Sequence, residues 1–137
     1  MKWKALLLAS LSAFVTVEIL DYVIHGVILM PAYESLKNVF RPDMAAKTWI
    51  FVLVGLIWSV LFTLIFAKGY EARGWLEGVR FGLLIGLFWA IPMAYGSYAM
   101  YPIPYSLALQ WFLYGLLETI LAGIAVALVY GRLAGPR

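Results

Sequence analysis

The stretch Ala5–Met30, ALLLASLSAFVTVEILDYVIHGVILM, decides the fold. At about 1.5 Å per residue it is long enough to cross a hydrocarbon core of about 30 Å. It lacks the alternation of a strand, and lipid leaves backbone groups no partner outside the segment, so the stretch reads as a helix. The start, Met1-Lys2-Trp3-Lys4 and then an apolar run, has the look of an export leader. However, the run outlasts the usual apolar core of about 7–15 residues. It also carries Glu18, Asp21 and His25, which a discarded leader has no use for. We read it as a first permanent span.

Three more stretches share its character, at about 48–67, 76–100 and 107–130. The whole chain is 65% hydrophobic and 12% charged with a mean hydropathy of +0.93; soluble domains carry roughly 25% charge. The expectation is a single all-α membrane domain over residues 1–137, an antiparallel bundle of four transmembrane helices in contact with the lipid bilayer. The aromatic fraction of 17% suits membrane interfaces. With no cysteine, disulfides, thiolate metal sites and cysteine nucleophiles are excluded.

Charge sets the expected orientation. An inside N-terminus puts Lys2, Lys4, Lys68, Arg73, Arg80, Arg132 and Arg137 on the cytoplasmic side and leaves Lys37, Arg41 and Lys47 outside. That bias predicts a multi-pass protein of the cell inner membrane with both termini cytoplasmic. It also accounts for the net charge of +3 without nucleic acid, since no basic stripe or stacking platform accompanies it. Of the outer connections, residues 31–47 place Tyr33, Leu36 and Phe40 on one helical face, predicting a short interfacial helix after Pro31. The other holds Tyr95, Tyr98, Tyr101 and Tyr105 around Pro102 and Pro104.

A shift of 62 residues aligns Ala32-Tyr33-Glu34-Ser35 with Ala94-Tyr95-Gly96-Ser97, Pro42 with Pro104 and Trp49 with Trp111. This suggests two duplicated helical hairpins; chance matching in a restricted composition is the plainer alternative. In the third span, Gly74, Gly78, Gly82 and Gly86 recur every four residues, a helix-packing pattern that lets another backbone come close. Arg80 falls almost opposite them. Either Arg80 faces the bundle, pairing with a carboxylate such as Glu18, and the glycines meet a second subunit, or the glycines pack inside and Arg80 snorkels to the headgroups. The first arrangement predicts a homo-oligomer through the third span.

The polar groups carry the chemistry. Glu18, Asp21 and His25, at i, i+3 and i+7, share one face of the first span. Ionisable groups in a membrane cost about 2.5–3.5 kcal/mol on insertion scales, and so they point to function. Glu118, midway along the fourth span, matches Glu18 in depth if the helices are antiparallel. The sharpest reading is a divalent-cation site of Glu18, Asp21, His25 and Glu118 for Zn, Fe or Mn. The same residues suit a proton- or cation-coupled transporter. An enzyme would use Asp21 and His25 as an acid–base pair on a lipid-soluble ligand. In a structural or accessory protein, His25 would bond to Tyr33 or Tyr95 and Glu118 to Thr119.

Overall fold

The computed structural model describes residues 2–135. Met1 of the leader-like start and Arg137 of the charge count lie outside the described residues. Helix α1 covers Trp3–Val23 and continues into a π-helical turn at Ile24–Ile28. A short α2 follows at Met30–Ser35, then a 3-10 turn at Met44–Lys47 leads into α3, Thr48–Gly69. Helices α4, Trp75–Met100, and α5, Tyr105–Ala134, complete the chain. With their continuing turns, α1, α3, α4 and α5 are long and apolar enough to cross a membrane.

Proline and glycine set the boundaries. Pro31 has no N–H and its ring crowds the carbonyl four residues back, at Val27, so α1 cannot simply run on. The backbone widens instead, with Leu29 N–H donating to the Ile24 carbonyl, and turns into α2. Tyr101, ahead of Pro102, is extended (φ −119°, ψ 146°), which ends α4. Gly135 at φ 69° closes α5. Pro92 leaves α4 helical on both sides of it.

Neighbouring helices run in the order α3, α1, α5, α4, each lying along the next. At the end that holds the termini, Phe81 of α4 meets Phe62 and Phe66 of α3, with ring centres 4.7 and 5.3 Å apart. The Lys2 ammonium donates there to the Ala134 carbonyl, tying α1 to α5. Ala9, Ala13, Ala122 and Val126 are fully buried in the adjoining core. Large apolar side chains such as Phe88 (79% exposed) point outward, as lipid-facing surface requires.

The glycines of α4 settle one of the open questions. Gly78, Gly82 and Gly86 are buried, and a Cβ at any of them would collide with Gly123, Thr119 or Leu116 of α5. Their close approach is made within the chain, where van der Waals contact between backbones holds α4 to α5. The expectation of a homo-oligomer through this surface is therefore corrected: α5 already fills it. Gly74 is also reassigned. It precedes α4 at φ 73°, with nothing near its missing side chain, and serves the turn rather than helix packing. Arg80 is 62% exposed and pairs with Glu71 at 3.7 Å, not with Glu18.

Opposite the termini, a second core forms around Ile24, Leu29, Ile103 and Leu107. Residues Tyr33, Leu36 and Phe40 pack against it, so the segment after Pro31 folds over the bundle end. The helix in it stops at Ser35, short of the stretch that the face pattern suggests.

Candidate metal centre

Asp21 lies in the last turn of α1 and His25 in the π-helical turn that follows. Because α1 and α5 are antiparallel neighbours, this end of α1 meets the middle of α5, where Glu118 lies. One ligand atom from each of Asp21, His25 and Glu118 falls within 4.8 Å of the others. All three residues are half-buried. The Nε2 atom of His25 faces Asp21, 3.7 Å from Oδ1.

The fourth expected ligand is elsewhere. Glu18 turns toward α3, where its Oε1 occupies the space that a side chain at position 55 would fill above Gly55. It does not join the three-residue group. The structure thus brings together three of the four expected residues. Glu18 lies about 60° around α1 from Asp21 and about 10 Å along it from His25, so a shared face does not oblige it to meet the same helix.

His25 is held from its other side. Its Nδ1 lies 2.5 Å from the Tyr33 hydroxyl, and the indole N–H of Trp111 donates to the same oxygen at 2.8 Å. Phe40 closes over both, 5.4 Å from the Tyr33 ring and 6.4 Å from Trp111. Burial pushes the Tyr33 hydroxyl up to about 12, the Trp111 N–H opposing and the Asp21 and Glu118 carboxylates reinforcing the rise, so it stays a neutral O–H. The sequence offered Tyr33 or Tyr95 to His25, and Tyr33 is the partner. Tyr95 instead approaches Tyr105 and Phe112. Trp111 was visible only as a repeat match. Nothing in one sequence announced that α2 would carry Tyr33 back onto α5.

Glu118 is not satisfied by its neighbours. The Thr119 hydroxyl bonds to backbone carbonyls of Gly115 and Leu116 instead. Glu118 Oε1 is shut off from solvent and has no hydrogen-bond partner. Two carboxylates no more than 4.8 Å apart repel by at least about 3 kcal/mol at an effective dielectric of about 20, unless a proton or cation lies between them. Two carboxylate oxygens and an imidazole nitrogen form a donor set suited to Zn, Mn or Fe. Tetrahedral ligand atoms about 2.1 Å from a common ion sit about 3.4 Å apart, so a group spread over as much as 4.8 Å would have to close by up to about 1.4 Å to hold one. With that closure the three residues could hold a cation. A hollow of about 210 Å³ beside Glu71, Glu77 and Arg80 lies apart from this group.

Comparison of the chain with protein-family models, with curated proteins and with solved structures finds no match.

Proposed function

We propose that this multi-pass membrane protein binds a divalent cation between α1 and α5, with Asp21, His25 and Glu118 as ligands and Zn, Mn or Fe as the suited metals. The observation that carries the reading is the convergence of the three donor atoms within 4.8 Å. The orphaned Glu118 Oε1 adds to it, because a buried acceptor without a donor is costly and a cation would satisfy it. Water would complete the coordination, as in sites with three protein ligands. The charge bias supports an inner-membrane orientation with both termini cytoplasmic, which would put this group in the outer half of the bilayer.

A second reading has one observation in its favour. Tyr33, His25 and Asp21 form a polar series that links the lid to the carboxylates. Such a series suits proton transfer coupled to cation movement.

Metal content and Zn²⁺ binding of the purified full chain test the first reading. Near-stoichiometric metal, lost in Asp21→Asn, His25→Ala and Glu118→Gln, is the expected result. A chain that takes up no Zn²⁺, Mn²⁺ or Fe²⁺ at micromolar concentrations overturns it. Proton flux in liposomes, abolished by Glu118→Gln, would then favour the second.

A further inference from the structure

The lid over His25 carries information about where the imidazole proton sits. An indole N–H can donate but never accept, so Trp111 occupies one of the two lone pairs on the Tyr33 oxygen. Tyr33 is left with one hydrogen and one lone pair, and its remaining polar neighbour is His25 Nδ1 at 2.5 Å. If Nδ1 carried the proton, the tyrosine oxygen would accept twice and its own hydrogen would point at nothing polar among the described residues. Leaving that O–H unpaired under the Phe40 lid biases the tautomers by about tenfold or more. If Tyr33 donates to Nδ1, the Trp111 N–H, the Tyr33 O–H and Nδ1 are all satisfied. The imidazole proton then belongs on Nε2, the nitrogen that faces Asp21.

We infer that Tyr33 and Trp111 are positioning residues that set the tautomer of His25, with Trp111 aiming the Tyr33 hydroxyl at Nδ1 and the imidazole proton held on Nε2 toward the carboxylates. The resting arrangement follows from the hydrogen bonds alone. Its consequence for binding rests on the cation reading. A cation that takes the Nε2 lone pair requires the Nε2–H bond to break and an Nδ1–H bond to form, the proton being carried by water. The imidazole stays neutral, and Tyr33 keeps its hydrogen but turns from donor to acceptor, using the lone pair that Trp111 leaves free.

The chain has a single histidine, so ¹⁵N-histidine labelling gives one imidazole to read. In full-length protein in nanodiscs, freed of metal by chelator and at a pH where the ring is neutral, the wild type should show a protonated Nε2 and a hydrogen-bonded, unprotonated Nδ1. Tyr33→Phe should move the Nδ1 resonance to the position of an unbonded ring nitrogen, and Trp111→Phe should move it part of the way. A wild-type proton on Nδ1 overturns the assignment whether or not the variants fold. So does an Nδ1 resonance unmoved in Tyr33→Phe; one unmoved in Trp111→Phe removes Trp111 from the role. Added Zn²⁺ should transfer the proton to Nδ1. If the resting spectrum is as expected and Zn²⁺ leaves it unchanged, the cation reading falls and the tautomer assignment stands.

Discussion

Gly78 of α4 and Gly123 of α5 are packed backbone to backbone: a Cβ on either would lie well under 3.0 Å from the other's carbonyl oxygen. Lipid tails are as apolar as leucine, so helices in a membrane gain little from burying apolar surface and much from fitting closely. This pair, with Gly82 against Thr119, marks the close approach of α4 to α5. Because α5 also supplies Glu118, the glycine contact fixes the helix that carries half of the carboxylate pair.

Alanine at Gly78 or Gly123 should therefore destabilise the fold by about 1–3 kcal/mol, the usual cost of overpacking. Gly96 lies in the same helix with nothing within 4 Å of the space a side chain would take. Gly96→Ala should be neutral, or stabilise by up to about 1 kcal/mol through helix propensity. Unfolding in detergent micelles reads both, and equal stabilities for the Gly78 and Gly96 variants would refute the packing argument.

The two membrane glutamates should behave differently toward Zn²⁺. Glu118→Gln removes a proposed ligand and should weaken binding by at least the roughly 10–100-fold that loss of an outer-shell partner costs. Glu18→Gln changes a residue seated over Gly55, and binding should stay within about threefold of wild type. Calorimetry on the two variants is sufficient; equal losses would return Glu18 to the ligand set.

Glu77 holds the turn between α3 and α4. It is 7% exposed, and its carboxylate accepts from the backbone N–H of Glu71 at 2.6 Å and of Arg73 at 2.8 Å. Between those amides Ala72 sits at φ 62°, a left-handed conformation that a side chain disfavours. Glu77→Gln turns one acceptor into a donor facing an N–H and should cost about 1–3 kcal/mol. An unchanged unfolding midpoint would mean that the turn holds itself.

Asp43 provides a pH signature outside the spans. The Arg41 guanidinium at 3.0 Å, helped by Lys47 at 3.4 Å, keeps its carboxyl below the ordinary value. A carboxyl depressed by folding contributes stability above its unfolded value, near pH 4, and that contribution disappears as the pH falls through the lower folded value. A carboxyl-carbon NMR titration should place the Asp43 midpoint below that of the unfolded chain. Arg41→Ala should raise it, and high salt should act in the same direction.

Much of this architecture was legible from hydropathy. Four apolar stretches, two prolines beside Tyr101 and the glycine after α5 are local signals, and each acts on the backbone where it stands. Neighbour order was not legible, because periodicity says which face is polar and not which helix it meets. That is why Asp21, His25 and Glu118 could be named together, and why Glu18, which turns toward α3, was named with them. The choice between the two roles of the third-span glycines was open for the same reason. Tyr33 was one of two candidates, and Trp111 had no signal of its own, since both depend on a lid whose path is set by Pro31 and the second core.

The wide turn at Ile24–Ile28 makes the number of residues as important as their identity. Removing one residue between His25 and Pro31 would take away the extra residue that the wide turn holds, while Pro31 would still force the chain to break, so α2 would start from a different point relative to His25. Tyr33 would then leave His25, and Phe40 would leave Trp111, although no side chain in the group had been altered. Geometry therefore fixes length here: chains that keep this site should vary freely in the apolar residues at 24, 27 and 28, yet tolerate neither an insertion nor a deletion between His25 and Tyr33.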